Sequence, residues 1–284
     1  MQYSTFAAID IGSYDVILEI FEISKKQGIR SVDKICHRME LGKDTYTLGK
    51  IRPEMEEELC RVLADFVRIM EGYRVDAYRA MASSAISEAA NSLYVLGKIH
   101  QLTGLSVTVL SNSEQRFLSY KALAAMEDNF NKIIEKGTAI LDLDGGSFQI
   151  SLFDKDALVT TQNIRMGSLR IRERLAGIQS ETEHYEEMVE ELIWNEVSSF
   201  KKMYLKDRKI ENIMLIGDVF TDSVYQNIEE KTTKIISREN FNTWYEKIIR
   251  QSPMELAVKL GIPLENASLM YPSAVIYKCL IDMM

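Results

Sequence analysis

At 284 residues, with 46% hydrophobic and 27% charged side chains, the chain has the composition of a globular protein and enough length for two domains. A formal net charge of −8 argues against nucleic-acid binding, and no apolar run reaches the roughly 18 residues of a membrane span. Cys36, Cys60 and Cys279 are scattered and the three histidines lack ligand spacing, which argues against a disulfide framework or a zinc centre.

The N-terminus has no basic stretch ahead of an apolar core, so no signal peptide is expected and the cytoplasm is the expected compartment. Ala7 to Ile11 reads as a buried strand, Val16 to Phe21 as a second, and Ile29 to Met39 as a third. Pro53 suits a first helical turn, and Met55, Leu59, Val62, Leu63, Phe66, Ile69 and Met70 follow at helical spacing up to Gly72. Ala77 to Ala82 reads as a strand, Ser84 to Gln101 as one helix, and Leu105 to Leu110 as a strand. Ser111 and Glu114 have the spacing of a capping box, opening a helix to about Met126.

Asn129 to Gly137 is polar and reads as a linker. Strands follow from Thr138, around Ile150 to Phe153, and from Leu158 to Ile164. Ser180 to Glu183 resembles a second capping box, opening a helix to about Tyr204. Ile213 to Ile216 is a strand running into Gly217. Ser252-Pro253-Met254-Glu255 opens a helix that Gly261 and Pro263 end, and a last helix covers about Glu265 to Ile281. Alternating strands and helices with short connections define an α/β fold.

Two segments repeat one pattern: an apolar run, an Asp, a Gly/Ser turn, a second apolar run. The first turn is Asp10-Ile11-Gly12-Ser13; the second is Asp142-Leu143-Asp144-Gly145-Gly146-Ser147, with Asp142 lying 132 residues after Asp10. Such a turn can aim a carboxylate and backbone N–H groups at a phosphate or its metal ion. Asp and Gly are also ordinary hairpin-turn residues, and Glu114 has its cap role as an alternative to chemistry. Arg165, Arg170, Arg172 and Arg174 are the candidate basic patch, with a solvated helix face as the alternative.

Six pieces in order resemble the exopolyphosphatase / guanosine pentaphosphate phosphohydrolase family, over nearly the whole chain. They are the two turns, Leu41-Gly42 as a Leu-Gly loop, Ala82 to Asn91, Leu110 to Gln115, and Met166-Gly167-Ser168-Leu169-Arg170. The resemblance implies two actin-like (ribonuclease H-like) domains, 1–126 and 127–284, each a mixed five-stranded sheet flanked by helices, with a cleft between them. It implies magnesium-dependent hydrolysis of terminal phosphoanhydrides of polyphosphate or guanosine pentaphosphate. Gly12, Ser13, Gly145, Gly146, Ser147 and Arg170 would bind phosphate, and Asp10, Asp142 and Asp144 would hold Mg2+. Glu114 and Gln115 fall at the catalytic segment. A homodimer is the family expectation, and members continue past the position of Met284.

The chain departs from that pattern. Gln115 stands where the family has its catalytic Glu, and an amide cannot accept a proton near neutral pH. Gln149 replaces a metal-associated Glu, a poorer partner for a hard cation. Ser87 replaces the phosphate-facing Arg, Tyr14 an Asn, and Asp144 a loop Gly. Val219-Phe220-Thr221 replaces a small Ser-Gly-Thr loop. Activity is therefore expected to be weak or lost. The alternative is a non-catalytic phosphate-ligand binding or regulatory module of the same fold. An ATP-dependent kinase or ATPase ranks third, since no Gly-rich adenosine loop is evident around Gly217. Tyr14, Phe148 and Phe220 are expected to pack together and fill the vacated cleft.

Overall fold

The computed structural model describes residues 3–26, 28–126, 129–176, 185–206, 208–217, 220–221 and 237–284. The expected capping box at Ser180 to Glu183, and Asp218 and Val219 of the loop after Gly217, lie outside the described residues. The chain divides into two compact units, Met1–Phe117 and Leu118–Met284. No helix among the described residues is long and apolar enough to cross a membrane.

Unit 1 is built on a five-stranded sheet of order β3-β2-β1-β4-β5. β1 (Ser4–Ile11), β2 (Asp15–Ser24) and β3 (Gly28–Arg38) form an antiparallel meander. β4 (Ala77–Ala82) and β5 (Val107–Val109) add in parallel beside β1. Period-two alternation sets the faces. Ala7, Ile9 and Ile11 of β1, and Val16, Leu18 and Ile20 of β2, are buried in one core. Leu59, Leu63 and Phe66 of α2 (Pro53–Gly72) and Val95 and Ile99 of α4 (Ser92–Thr103) fill that core from above. Asp10, one residue out of phase, is thereby turned to the other face of the sheet.

Two expectations for unit 1 are corrected. Leu41-Gly42 is not a loop but the start of α1 (Leu41–Leu48), ended by Gly49 with φ 71°. The stretch from Ser84 to Gln101 is not one helix. It breaks between α3 (Ser84–Ser87) and α4. The break brings Asn91 onto the connection before α2: its Oδ1 accepts from the Ile51 N–H, and its Nδ2 donates to Ile51 O and Glu56 Oε1. A continuous helix would forfeit these bonds to buried groups.

Unit 2 carries a sheet of order β8-β7-β6-β9, four-stranded among the described residues where five were expected. β6 (Thr138–Leu143) pairs antiparallel with β7 (Phe148–Asp154), β7 with β8 (Ala157–Ile164), and β6 parallel with β9 (Asn212–Gly217). The described chain after β9 supplies helices instead of a strand: α9 (Arg238–Ile249), α10 (Pro253–Leu260) and α11 (Leu264–Met283). α11 is apolar on all sides and buried along most of its length, which suits a central helix. Its Tyr277 hydroxyl donates to Ile216 O of β9 at 2.7 Å.

β6 is covered on both faces. Ala139, Leu141 and Leu143 join the main core with α7 (Ser168–Leu175), α8 (Tyr185–Phe200) and α11. Ile140 joins a smaller cluster with Phe153, Phe130 and Ile134. The last two residues belong to α6 (Phe130–Ile134), so the segment read as a linker is a short helix that buries its two large apolar side chains. Tyr120 and Leu123 of α5 (Asn112–Met126) pack on the same cluster. Phe148 and Phe220 are core residues of unit 2, not a plug. Phe220 packs against Phe241 and Tyr277 at ring-centroid distances of 6.0 and 5.4 Å. Tyr14 belongs to unit 1 and lies under the Arg38 guanidinium, 4.8 Å from its ring centroid.

Candidate functional site

The two acidic turns have the same backbone design. In each, four residues join the paired ends of two strands, Ile11 to Val16 and Leu143 to Phe148. In each, the first turn residue donates its N–H to the carbonyl of the fourth at 2.9 Å: Gly12 to Asp15, Asp144 to Ser147. Asp144 thus occupies the place of Gly12, and Gly146 the place of Tyr14. Asp10 and Asp142 each stand two residues before the turn, at the same register position.

A short helix then pins each turn from its carbonyl side. Gly42 N–H of α1 donates to Ser13 O at 2.7 Å. Ser168 and Arg170 N–H of α7 donate to Asp144 O and Gly145 O at 3.2 and 2.9 Å. Orphan N–H groups of the helix N-termini are satisfied, and each turn is held by backbone hydrogen bonds from its helix. The approach at Gly167 is so close that a Cβ there would meet Asp144 O, Ser147 N and Gly145 C inside the 3.0 Å floor for such contacts.

In unit 1 the structure brings Asp10, Gly12 and Ser13 together at the first turn. The Asp10 carboxyl is raised to about 6, first by the density of surrounding protein and then by the negative charge of Asp15, with Lys34 opposing. Its side chain still reaches water, which moderates that rise. Ser13 is buried, at 1% exposure, and its hydroxyl is held by the Tyr46 hydroxyl at 2.7 Å. Tyr46 also bonds Ser84 at 2.9 Å. Tyr46 and Ser84 were not singled out from the sequence, because their meeting depends on α1. Glu114 is exposed and caps α5: its Oε2 accepts from the Ser111 N–H at 2.9 Å and the Ser111 hydroxyl at 2.7 Å. Those bonds lower its carboxyl. Gln115 is half-buried beside it, and Ser87 is exposed.

In unit 2 the structure gathers Asp142, Asp144, Gly145, Gly146, Ser147 and Arg170. Asp142 lies opposite Gln149 in the β6–β7 register, so the two side chains share a face. Burial raises the Asp142 carboxyl, and a hydrogen bond from Ser119 of α5 at 2.9 Å opposes the rise. Asp144 Oδ1 accepts from the Gly145 N–H at 2.6 Å, bracing its own turn. Arg170 Nε donates to Gly146 O at 2.9 Å, so this guanidinium also supports the turn. Ser147 Oγ accepts from Asn163 Nδ2 at 3.2 Å. The Ser168 hydroxyl, 1% exposed, has no hydrogen-bond partner among the described residues. The four arginines of the candidate patch do not form one face. Arg165 and Arg174 are exposed, whereas Arg172 is nearly buried against Glu173 and Ser268.

No group of three or more His, Cys, Asp or Glu side chains forms a metal cluster among the described residues. Magnesium does not need one. It is commonly held by one or two carboxylates with water and substrate phosphate completing the octahedron. In each unit one carboxylate, Asp10 or Asp142, stands at a strand end just before its turn.

Two mixed sheets with paired acidic turns define an actin-like α/β protein. The chain belongs to the Ppx/GppA phosphatase family, whose model matches residues 19–284. It is similar to an exopolyphosphatase from Cytophaga hutchinsonii, at TM-score 0.84 and 18% identity, over 99% of this chain and 91% of that one. It is also similar to the Aquifex aeolicus Ppx/GppA family member, at TM-score 0.75 and 19% identity, over 99% and 91% of the two chains. Among curated proteins, it is 22% identical over 238 residues to a bifunctional 3-dehydroquinate synthase/phosphatase of Fusobacterium nucleatum. That match covers 79% of this chain and 34% of the relative. It is 25% identical over 144 residues to exopolyphosphatase 1 of Mycobacterium leprae, covering 50% of this chain and 41% of the relative. The aligned part thus spans less than half the length of either curated relative.

Proposed function

We propose that the protein is a magnesium-dependent phosphoanhydride hydrolase of low turnover. It acts on the terminal phosphate of an inorganic polyphosphate or of guanosine pentaphosphate. The observation that carries this reading is the duplicated turn: the same four-residue connection, the same closing hydrogen bond and the same preceding Asp occur in both units. Gly12 and Gly145 spend their own N–H groups on bonds within the turns, and the neighbouring N–H groups of Ser13, Gly146 and Ser147 would receive phosphate oxygens. Asp10 and Asp142 would hold Mg2+, which supplies charge neutralisation on the phosphates. Asp144 and Arg170 keep the second turn in shape.

In the reaction a water oxygen bonds to the terminal phosphorus, the bridging P–O bond breaks, and the water proton must leave. Gln115 can orient that water through its amide oxygen but cannot take the proton, so the proton goes to substrate phosphate or solvent. Losing a general base costs about 10²–10⁴-fold in rate. Phosphoryl transfer rests mainly on positioning and charge neutralisation, so a reduced rate remains. Cytoplasmic location and a homodimer belong to the same proposal.

The test is phosphate release from polyphosphate and guanosine pentaphosphate with magnesium, for the wild type and for the combined Gln115→Glu, Gln149→Glu variant. Slow wild-type turnover that rises in the variant supports the reading. A second reading, a phosphate-ligand binding or regulatory module without catalysis, is favoured by Glu114 and Ser13, whose polar groups are already engaged by Ser111 and Tyr46. Ligand binding with no turnover in either protein would select it.

A further inference from the structure

Unit 2 has a cavity of about 520 Å³ at the opposite end of its sheet from the Asp142 turn. It opens where β6 and β9 begin and β7 ends, beside a π-helical turn, Lys201–Leu205. Along β6, Thr138 and Leu143 are separated by roughly 16 Å at the usual rise of a strand. The two places are therefore distinct, and none of the chemistry above uses this one.

Its walls combine two features. Val159, Met203, Tyr204 and Ile210 are among its lining residues and give it an apolar share beside a larger polar one. Lys136, Arg208 and Lys209 give a cationic rim, set against Asp154 and Glu211. The rim pairs are long: Arg208–Asp154 3.4 Å, Lys136–Glu211 3.5 Å and Lys209–Glu211 3.6 Å. Elsewhere in the chain, Arg30–Glu22, Arg52–Asp44 and Arg238–Asp282 close to 2.6, 2.8 and 2.7 Å, whereas Lys98–Glu56 stays at 3.4 Å. Charge-assisted bonds normally run about 2.7–2.9 Å. One carboxylate, Glu211, is shared by two lysines, so the rim carries three cations for two anions. An incoming phosphate would replace weak contacts with short ones.

The rim is also positioned rigidly. Gly137 O accepts from the Glu211 N–H at 2.7 Å and the Asn212 N–H at 3.2 Å. A Cβ at Gly137 would collide with the Lys209 carbonyl, so only glycine lets the two rim segments meet. The volume falls within the roughly 300–1,000 Å³ of small-molecule sites. Apolar lining residues, Tyr204 among them, and an anion-seeking rim fit a planar body carrying one or two phosphates. We infer that this cavity is an accessory binding site for a nucleoside phosphate.

The test is calorimetric titration of the whole chain at low salt, without magnesium, with adenosine and guanosine monophosphates, the free nucleosides and inorganic phosphate. A nucleoside monophosphate is expected to bind at least tenfold more tightly than the nucleoside or phosphate alone. Lys136→Ala with Arg208→Ala should weaken binding at least tenfold, and Arg208→Glu should abolish it. Lys136→Ala with Lys209→Ala changes only exposed side chains, at 66% and 85% exposure, and guards against loss of folding. Asp142→Asn should leave the affinity unchanged. Absence of binding at millimolar concentration overturns the inference. So does binding that ignores the rim variants, follows Asp142→Asn, or is matched by phosphate alone.

Discussion

Replacing Gly167 by Ala adds one methyl group at the point where α7 touches the second turn. The new Cβ would meet Asp144 O, Ser147 N and Gly145 C, all backbone atoms, inside 3.0 Å. None of them can rotate away, so α7 and the turn must part by roughly 1 Å in a close-packed region. Overpacking of this kind costs about 1–3 kcal/mol. The Ser168-to-Asp144 and Arg170-to-Gly145 hydrogen bonds stretch with it, at about 0.5–1.5 kcal/mol each. The expected loss is roughly 2–4 kcal/mol, since the two effects overlap. For a unit of this size that lowers Tm by roughly 4–16 °C. The assay is thermal unfolding followed by circular dichroism, with Gly97→Ala as control. Gly97 lies inside α4, and a Cβ there meets nothing within 4 Å. That control should gain about 0.5–1 kcal/mol from helix propensity. A Gly167→Ala protein melting within about 1 °C of wild type would refute the claim that α7 clamps the turn.

Asp10→Asn should stabilise the protein at pH 7, by roughly 1 kcal/mol after discounting for solvent screening. The sign follows from a raised carboxyl: the folded state holds the proton up to about pH 6, the unfolded state only up to about 3.8. Stability therefore falls as pH rises through that window, and the gain from Asn should vanish near pH 4. Magnesium affinity, read by calorimetry on the wild type, should weaken as pH drops through about 6, because the ion needs the ionised carboxylate. Ser111→Ala removes the α5 cap and should cost about 0.5–2 kcal/mol in denaturant unfolding. The Glu114 carboxyl, followed by NMR, should rise toward its ordinary value in the same variant. Tyr46→Phe removes the nearer partner of the buried Ser13 hydroxyl and leaves it only the Ser84 hydroxyl at 3.5 Å, at about 0.5–1.5 kcal/mol for the lost bond. An unchanged unfolding midpoint would show that this hydroxyl finds another partner.

The strand–turn–strand units were legible because their cause is local. Ala7, Ile9 and Ile11 alternate with Phe6, Ala8 and Asp10, and that alternation alone turns Asp10 away from the core. Both readable capping boxes, Ser111 with Glu114 and Ser252 with Glu255, form as their spacing implies. α1 was missed because its N-cap, Glu40, makes no side-chain capping bond and its eight residues are mixed in polarity. Its one signal was Gly49, a left-handed stop. The break at Asn91 follows from bonds to Ile51 and Glu56, 40 and 35 residues away, which no local window contains. The aromatic plug failed for a similar reason. Phe148 and Phe220 lie in the unit 2 core, and the ring partners of Phe220, Phe241 and Tyr277, are distant in sequence. The engagement of Ser13 by Tyr46 likewise required the missed helix.

The most direct test of the central claim is steady-state phosphate release from a medium-length polyphosphate with magnesium at neutral pH. Wild-type chain is compared with the combined Gln115→Glu, Gln149→Glu variant and with that variant also carrying Asp142→Asn. The account predicts slow wild-type turnover, a rise of roughly 10²-fold or more on restoring the carboxylates, and loss of that gain with Asp142→Asn. Wild-type turnover already at ordinary enzyme rates, or a restored rate indifferent to Asp142, would contradict it.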